Sequence, residues 1–311
     1  MRIHLTDTNS SKVNAAIIEA RRAAGASAVG MVLTLVIVTD EGGAYDAHRA
    51  ASEASMEHPC RIVTVVRRPG RSPRARAEAR LDAEVIVGAE TGSGESVVLR
   101  LHGELAGKAE SVVLPLLLPD APVVVWWPDE APDDPAGDPL GKLAQRRITD
   151  SYNAADPLAF LAVHAESYAP GDTDLAWTRL TLWRSLLSAA LDQSRATVTG
   201  ATVECERDNA SAELLASWLG QRLGVPVSRV TTEGPLITRV SLATENGDIS
   251  IDRPEGPVAN FAMPGQTDRV VALKIRPTSE LIAEELRRLD PDTAYAEALR
   301  GTRLIPARAA G

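Results

Sequence analysis

The chain has 311 residues, of which 44% are hydrophobic and 24% charged, and its formal net charge is −9. That length favours two domains over one and supplies enough apolar material for real cores. The acidic balance argues against a nucleic-acid binder or a basic membrane-surface protein.

Met1 to Ser11 lacks a charged-then-apolar signal pattern, and no apolar run reaches the roughly 18 residues of a spanning helix. A cytoplasmic protein without membrane contact is expected. Cys60 and Cys205 form neither a CxxC pair nor a zinc spacing, so two free, buried thiols are expected. Aromatic residues make up only 4% of the chain, yet five of them are Trp. Their placement is therefore informative.

Asn9 to Ser11 offer N-caps for a helix whose apolar face runs Val13, Ala16, Ile17, Ala20 and Ala24, up to Gly25. Met31 to Thr39 reads as a strand, Tyr45 to Met56 as an alanine-rich helix, and Arg61 to Val66 as the next strand. Together they predict a right-handed βαβ unit. The basic stretch Arg67 to Arg80 reads as an exposed loop leading into a turn of helix. Glu84 to Gly88 and Ser96 to His102 are strands joined by a Gly/Ser-rich loop. That loop has no Lys and fails the phosphate-loop pattern, and Gly42-Gly43 is no GxGxxG fingerprint, so no cofactor is expected.

Lys108 to Leu118 predicts a helix packed on the sheet, and Pro119 to Pro122 a turn. Val123 to Trp127, ended by Pro128, predicts a strand covered on both faces. Alternation sends Trp126 and Trp127 to opposite faces. Either one ring fills the core while the other reaches a cleft or a partner, or both are core. Asp129 to Asp138 reads as a solvated acidic loop without calcium-loop spacing.

Pro139 to Tyr152 and Pro157 to Tyr168 both read as helices. Ala169-Pro170-Gly171-Asp172 is the clearest break, which sets the expected domains at 1–168 and 169–311. Asp174 to Asp192 then predicts one helix with Ala176, Leu180, Trp183, Leu187 and Ala190 inward. Beyond it come a strand from Ala196 to Cys205, a helix from Ser211 to Leu223 ended by Gly224, and strands over 229–251 turned at Asn246-Gly247-Asp248. Asp268 to Arg276 reads as a strand, and Ser279 to Leu289 and a stretch after Pro291 as helices. The fold expected is α/β: an N-terminal, mostly parallel sheet flanked by helices, then a smaller α+β domain.

No GxSxG elbow, HExxH or Cys-His signature is present, and no spacing singles out a carboxylate pair. Of five histidines, His58 stands out, but it precedes a strand, where a capping or packing role is expected. Catalytic and metal residues are therefore expected to be absent.

Four stretches resemble the glucose-6-phosphate dehydrogenase assembly protein family (OpcA) of actinobacteria and cyanobacteria. They are Glu57 to Arg61 (EHPCR), Leu114 to Pro128 (LPLLLPDAPVVVWWP), Arg146 to Ser151 (RRITDS) and Asp174 to Arg184 (DLAWTRLTLWR). The resemblance implies a protein that is not an enzyme, binds glucose-6-phosphate dehydrogenase, promotes its assembly or active state and so feeds the oxidative pentose phosphate pathway. Photosynthetic relatives are thiol-controlled, whereas this chain lacks a closely spaced cysteine pair, which argues against the same switch.

Trp and Arg are enriched at binding hot spots. Trp126, Trp127, Arg146, Arg147, Asp150, Trp177, Arg179 and Arg184 are accordingly the candidates for the docking surface or its support. The second reading is a sensor or enzyme for a sugar phosphate or nucleotide. Its site would lie at the strand ends near Trp127 to Glu130, with Arg146 and Arg147 as anion partners.

Overall fold

The structure, a computed structural model, describes residues 1–25, 30–68, 79–88, 94–194, 196–253 and 255–302. The Gly/Ser loop, most of the basic loop and the C-terminal tail of the sequence reading lie outside these residues. In chain order the elements are β1 (Arg2–Leu5), α1 (Ser10–Ala23), β2 (Leu33–Thr39), α2 (Ala44–Ala54), β3 (Cys60–Arg68), β4 (Arg80–Val87) and β5 (Glu95–His102). Then come α3 (Ala109–Val113), β6 (Val123–Trp126), β7 (Arg146–Thr149), α4 (Pro157–Ser167), β8 (Asp172–Asp174), α5 (Leu175–Thr178) and α6 (Thr181–Gln193). The chain closes with β9 (Val198–Cys205), α7 (Ala210–Leu223), β10 (Val227–Thr231), β11 (Ile237–Thr244), β12 (Ile249–Asp252), β13 (Val258–Ala262), β14 (Arg269–Ala272), α8 (Thr278–Arg287) and α9 (Thr293–Gly301).

Two compact units result, and they do not follow chain order. Unit 1 comprises Met1–Asp150 and Pro277–Pro291, and unit 2 comprises Ser151–Arg276 and Asp292–Gly311. The Ala169 to Asp172 break lies inside unit 2.

In unit 1 the strand order is β1-β4-β5-β3-β2-β6-β7. β5, β3, β2, β6 and β7 run parallel, and β4 is reversed between β1 and β5. Every residue of β2 is buried, as expected of a strand covered on both faces. On one face α1 lays Val13, Ala16, Ile17 and Ala20 against Val36, Val63, Val97 and Val125. Asn9 caps that helix by accepting from the Lys12 N–H. On the other face α2 brings His48 against Thr64 and Ser96.

Unit 2 holds one six-stranded sheet, β10-β9-β11-β12-β13-β14, with β9 and β10 parallel and the remainder antiparallel. Its core face, with Val203, Val240, Leu242, Ile251 and Phe261, packs on the apolar sides of α6, α7 and α9. Gly224 ends α7 in the left-handed conformation at φ 66°, the geometry a helix-stopping glycine supplies.

Three expectations fail locally. Lys108 to Leu118 is not one helix: α3 covers only Ala109–Val113, and Leu114–Leu116 is a 3-10 turn. Pro139 to Tyr152 is not a helix: Gly141–Leu143 is a short 3-10 turn and Arg146–Thr149 is strand β7. Pairing with β6 overrides the weak helical pattern there. The single helix expected over 174–192 is broken at Arg179–Leu180, so α5 and α6 are separate. β1 and β13, both short, gave no clear sequence signal.

Candidate functional site

The candidate residues of unit 1 sit on the neighbouring strands β6 and β7. Val124 pairs with Arg146, Val125 with Arg147 and Trp126 with Ile148. The backbone N–H of Trp127 donates to the Ile148 carbonyl at 2.9 Å. Trp127 joins Val123 and Val125 in the core beneath α1. Trp126 points to the opposite face, as alternation requires. Both rings are sealed, at 1% and 0% exposure, so neither reaches a cleft.

Arg146 lies on the Trp126 side of the sheet. Its Nε donates to Glu285 Oε2 of α8 at 2.8 Å, a second guanidinium N–H donates to the same oxygen, and Nη1 donates to the Asp290 carbonyl at 2.9 Å. Arg146 and Glu285 are both more than nine-tenths buried. The anion partner expected of Arg146 is therefore a carboxylate of this chain, which leaves that guanidinium no room for a sugar phosphate. Arg147, also buried, donates to the Ala144 carbonyl at 2.9 Å, and Asp150 is buried at the end of the same segment.

The candidate residues of unit 2 form a second cluster. Asp174 accepts from the Ser151 N–H, the Ser151 hydroxyl and the Ala176 N–H at 3.0, 2.8 and 2.8 Å. These bonds fix the first turn of α5 and hence Trp177. The Trp177 indole N–H donates to Asp292 Oδ2 at 2.8 Å, while Asp292 Oδ1 accepts from the Tyr295 N–H to cap α9. Arg184 lies 3.8 Å over the Trp177 ring, and Arg179 lies 5.1 Å over Tyr152. Trp177 is buried, Arg179 and Arg184 are half-buried, and Tyr152 is 49% exposed. Tyr152 is not among the candidates of the sequence, where its only signal is an aromatic ring just after the RRITDS stretch.

The strand ends near Trp127 to Glu130, where open parallel sheets take ligands, are lined with carboxylates. Asp129 Oδ2 accepts from the Thr39 hydroxyl at 3.1 Å, and Asp40 Oδ1 accepts from the Gly43 N–H at 2.9 Å. A Cβ on Gly43 would collide with the Asp129 carboxylate and the Thr39 hydroxyl. The N-terminus of α2 thus already faces negative charge, where a phosphate would be repelled. Burial pushes the nearby Glu41 carboxyl up, but Arg68 and Arg100 more than offset this and hold it below its usual range. His58 packs locally, its backbone N–H closing on the Ala54 carbonyl. Among the described residues no group of His, Cys, Asp and Glu is placed to hold a metal ion. No described helix is long and apolar enough to cross a membrane.

Both cysteines are free and buried. Burial pushes the Cys60 thiol up to about 12 and the Cys205 thiol up to about 11. Since the thiolate is the reactive form, neither cysteine of the native protein is expected to react with an aromatic disulfide reagent. Both are expected to react once denaturant is added. A fast-reacting native thiol at either position would contradict that burial.

Comparison with solved structures bears on the fold alone. KijD10, a 3-ketoreductase from Actinomadura kijaniata solved in a complex with TDP-benzene and NADP, matches at 12% identity and a TM-score of 0.50, over 88% of this chain and 95% of that one. An oxidoreductase from Sinorhizobium meliloti matches at 12% identity and a TM-score of 0.49, over the same shares. At such identities the likeness is one of fold. No curated protein matches the chain. Family models are more specific. Residues 51–166 match the glucose-6-phosphate dehydrogenase subunit N-terminal domain, and residues 170–299 match the C-terminal domain of the same subunit. With most of its length matched by the two consecutive domains, the chain belongs to the glucose-6-phosphate dehydrogenase subunit family.

Proposed function

We infer that this chain is a non-catalytic partner of glucose-6-phosphate dehydrogenase, which it binds and whose assembly or active state it promotes, in support of the oxidative pentose phosphate pathway. The observation that carries this reading is the match of both consecutive domains to that family. The carboxylate-lined strand ends and the internal pairing of Arg146 add support, because they oppose phosphate binding at the places expected for a sensor or enzyme. An activator works by binding the active or assembled enzyme more tightly than the idle one; equal affinity for both shifts nothing.

The buried candidate residues then act as support, and the half-buried Arg179 and Arg184 with the exposed Tyr152 as contacts. In unit 2, Tyr152 and Arg179 form a stacked pair held beside the fixed α5 turn. Tyr and Arg are the residue types that dominate binding hot spots. Adding the purified chain to the dehydrogenase should raise its turnover or change its elution, and no change in either measurement would end the reading. Tyr152→Ala is expected to weaken binding about 10-fold, in line with a 1–2 kcal/mol contact. Its melting temperature should fall by only a few degrees, because the ring is half exposed. Wild-type affinity in this variant would move the docking surface elsewhere.

A further inference from the structure

The sheet of unit 2 carries its core on one face, and on the other Val230, Asn260 and Val270 are exposed and Glu204, Arg239 and Asp252 half-buried. Register fixes one row straight across that outer face. Val230 on β10 pairs with Glu204 on β9, and Glu204 pairs with Arg239 on β11. Arg239 pairs with Asp252 on β12, Asp252 with Asn260 on β13, and Asn260 with Val270 on β14. Residues directly opposite in a ladder share a face, so all six side chains project the same way. The row reads Val, Glu, Arg, Asp, Asn, Val: apolar at both ends, polar inside them, and oppositely charged at the centre. Val230 and Val270 are 45% and 69% exposed. Arg239 and Asp252 stand 3.4 Å apart with side chains 39% and 40% exposed. The adjoining row, Ser228, Thr202, Ser241 and Ser250, is short-chained throughout.

We propose that this face is a dimerisation surface whose occupant is a second copy of the chain, related by a two-fold axis running along the strands between β11 and β12. That rotation exchanges β10 with β14, β9 with β13 and β11 with β12, and shifts no residue along the strand direction. Val230 then meets the partner's Val270, Glu204 meets the amide of the partner's Asn260, and Arg239 meets the partner's Asp252. Each contact occurs twice, as an isologous interface demands. Sheets pack face to face about 10 Å apart and within about 30° of alignment, so the central charge pairs beside the axis are displaced least by twist.

Area and charge both fit this occupant. Six strands at about 4.8 Å spacing and roughly six residues at about 3.3 Å rise give a face about 24 by 20 Å. That is roughly 500 Å² in projection, which side-chain relief brings towards the about 800 Å² per partner of a standard interface. Two copies of a chain with net charge −9 repel. On this row the rotation sets cation against anion, so like-charged copies meet there at least cost.

The inference does not rest on the dehydrogenase reading, and its test needs only the full chain. Size-exclusion chromatography with light scattering over a wide concentration range should give twice the 33.1 kDa chain mass. Arg239→Asp and Asp252→Arg each set like charges face to face at both central contacts, and each should raise the dimer dissociation constant about 100-fold or more. Mixed in equal amounts, the two variants again oppose unlike charges, and a heterodimer should return, a rescue that misfolding cannot mimic. A wild-type chain that stays monomeric, a dimer indifferent to both variants, or variants that remain monomeric when mixed would each overturn the proposal. So would a monomeric wild type whose binding to the dehydrogenase both variants abolish, since the face would then belong to the enzyme.

Discussion

Arg146→Ala is expected to destabilise unit 1 by about 3–5 kcal/mol, the usual cost of removing one member of a buried ion pair. The loss comes less from the attraction that disappears than from the buried Glu285 carboxylate, which loses both of the bonds that Arg146 donates to it. The same substitution removes the donor to the Asp290 carbonyl, so β7 loses the bonds that Arg146 makes to α8 and the turn after it. Replacing both partners, Arg146→Met with Glu285→Leu, should recover most of the stability, because well-packed apolar groups of similar volume replace such pairs at little cost. Urea unfolding is the measurement, and the cysteines make it specific to one unit. Cys60 lies in unit 1 and Cys205 in unit 2. Thiol exposure at Cys60 should move to lower urea in the single variant while exposure at Cys205 reports on the other unit. A single variant as stable as wild type would show that the pair is not the clasp its burial indicates.

This pair also explains where the sequence stopped being legible. The apolar run Val123 to Trp127 announced a doubly covered strand, and β6 is one, because burial on both faces is a local property of composition. Helix α1 announced itself through its N-cap and apolar periodicity, and α7 through the glycine that ends it. β7 did not. Arg146 in a fully buried strand makes sense only with a carboxylate 139 positions away, and no local pattern carries that information. The same distance hid the membership of α8 in unit 1, since α8 follows every strand of unit 2 in the chain.

The proposed site was legible only in part, for a related reason. The sequence singled out Trp and Arg as interface residue types, but the same types serve as large, satisfiable core pieces. Which role a ring plays depends on what covers it, and Trp126, Trp127 and Trp177 are all covered. Tyr152, the ring left half in solvent, lay at the margin of a motif and drew no notice.

Trp177 separates scaffold from contact. Its ring is fully buried, and a Trp of that kind removes about 150–250 Å² from water, worth roughly 4–6 kcal/mol before entropy. Trp177→Ala should therefore cost unit 2 about 3–5 kcal/mol, with Cys205 exposed at lower urea than in wild type. Trp177→Phe keeps most of the packing and the surface beneath Arg184 but loses the N–H donated to Asp292. That change should cost about 1–3 kcal/mol, and α9 should keep its cap, because the other Asp292 oxygen makes that bond. The phenylalanine variant, folded at ordinary temperature, should bind the dehydrogenase within about threefold of wild type while Tyr152→Ala does not. On the proposed function, the ring fixes where Arg184 stands and the groups at the surface make the contact. Should Trp177→Phe lose affinity far beyond its small loss of stability, the indole itself would reach the enzyme, and this unit would have to open its core on binding.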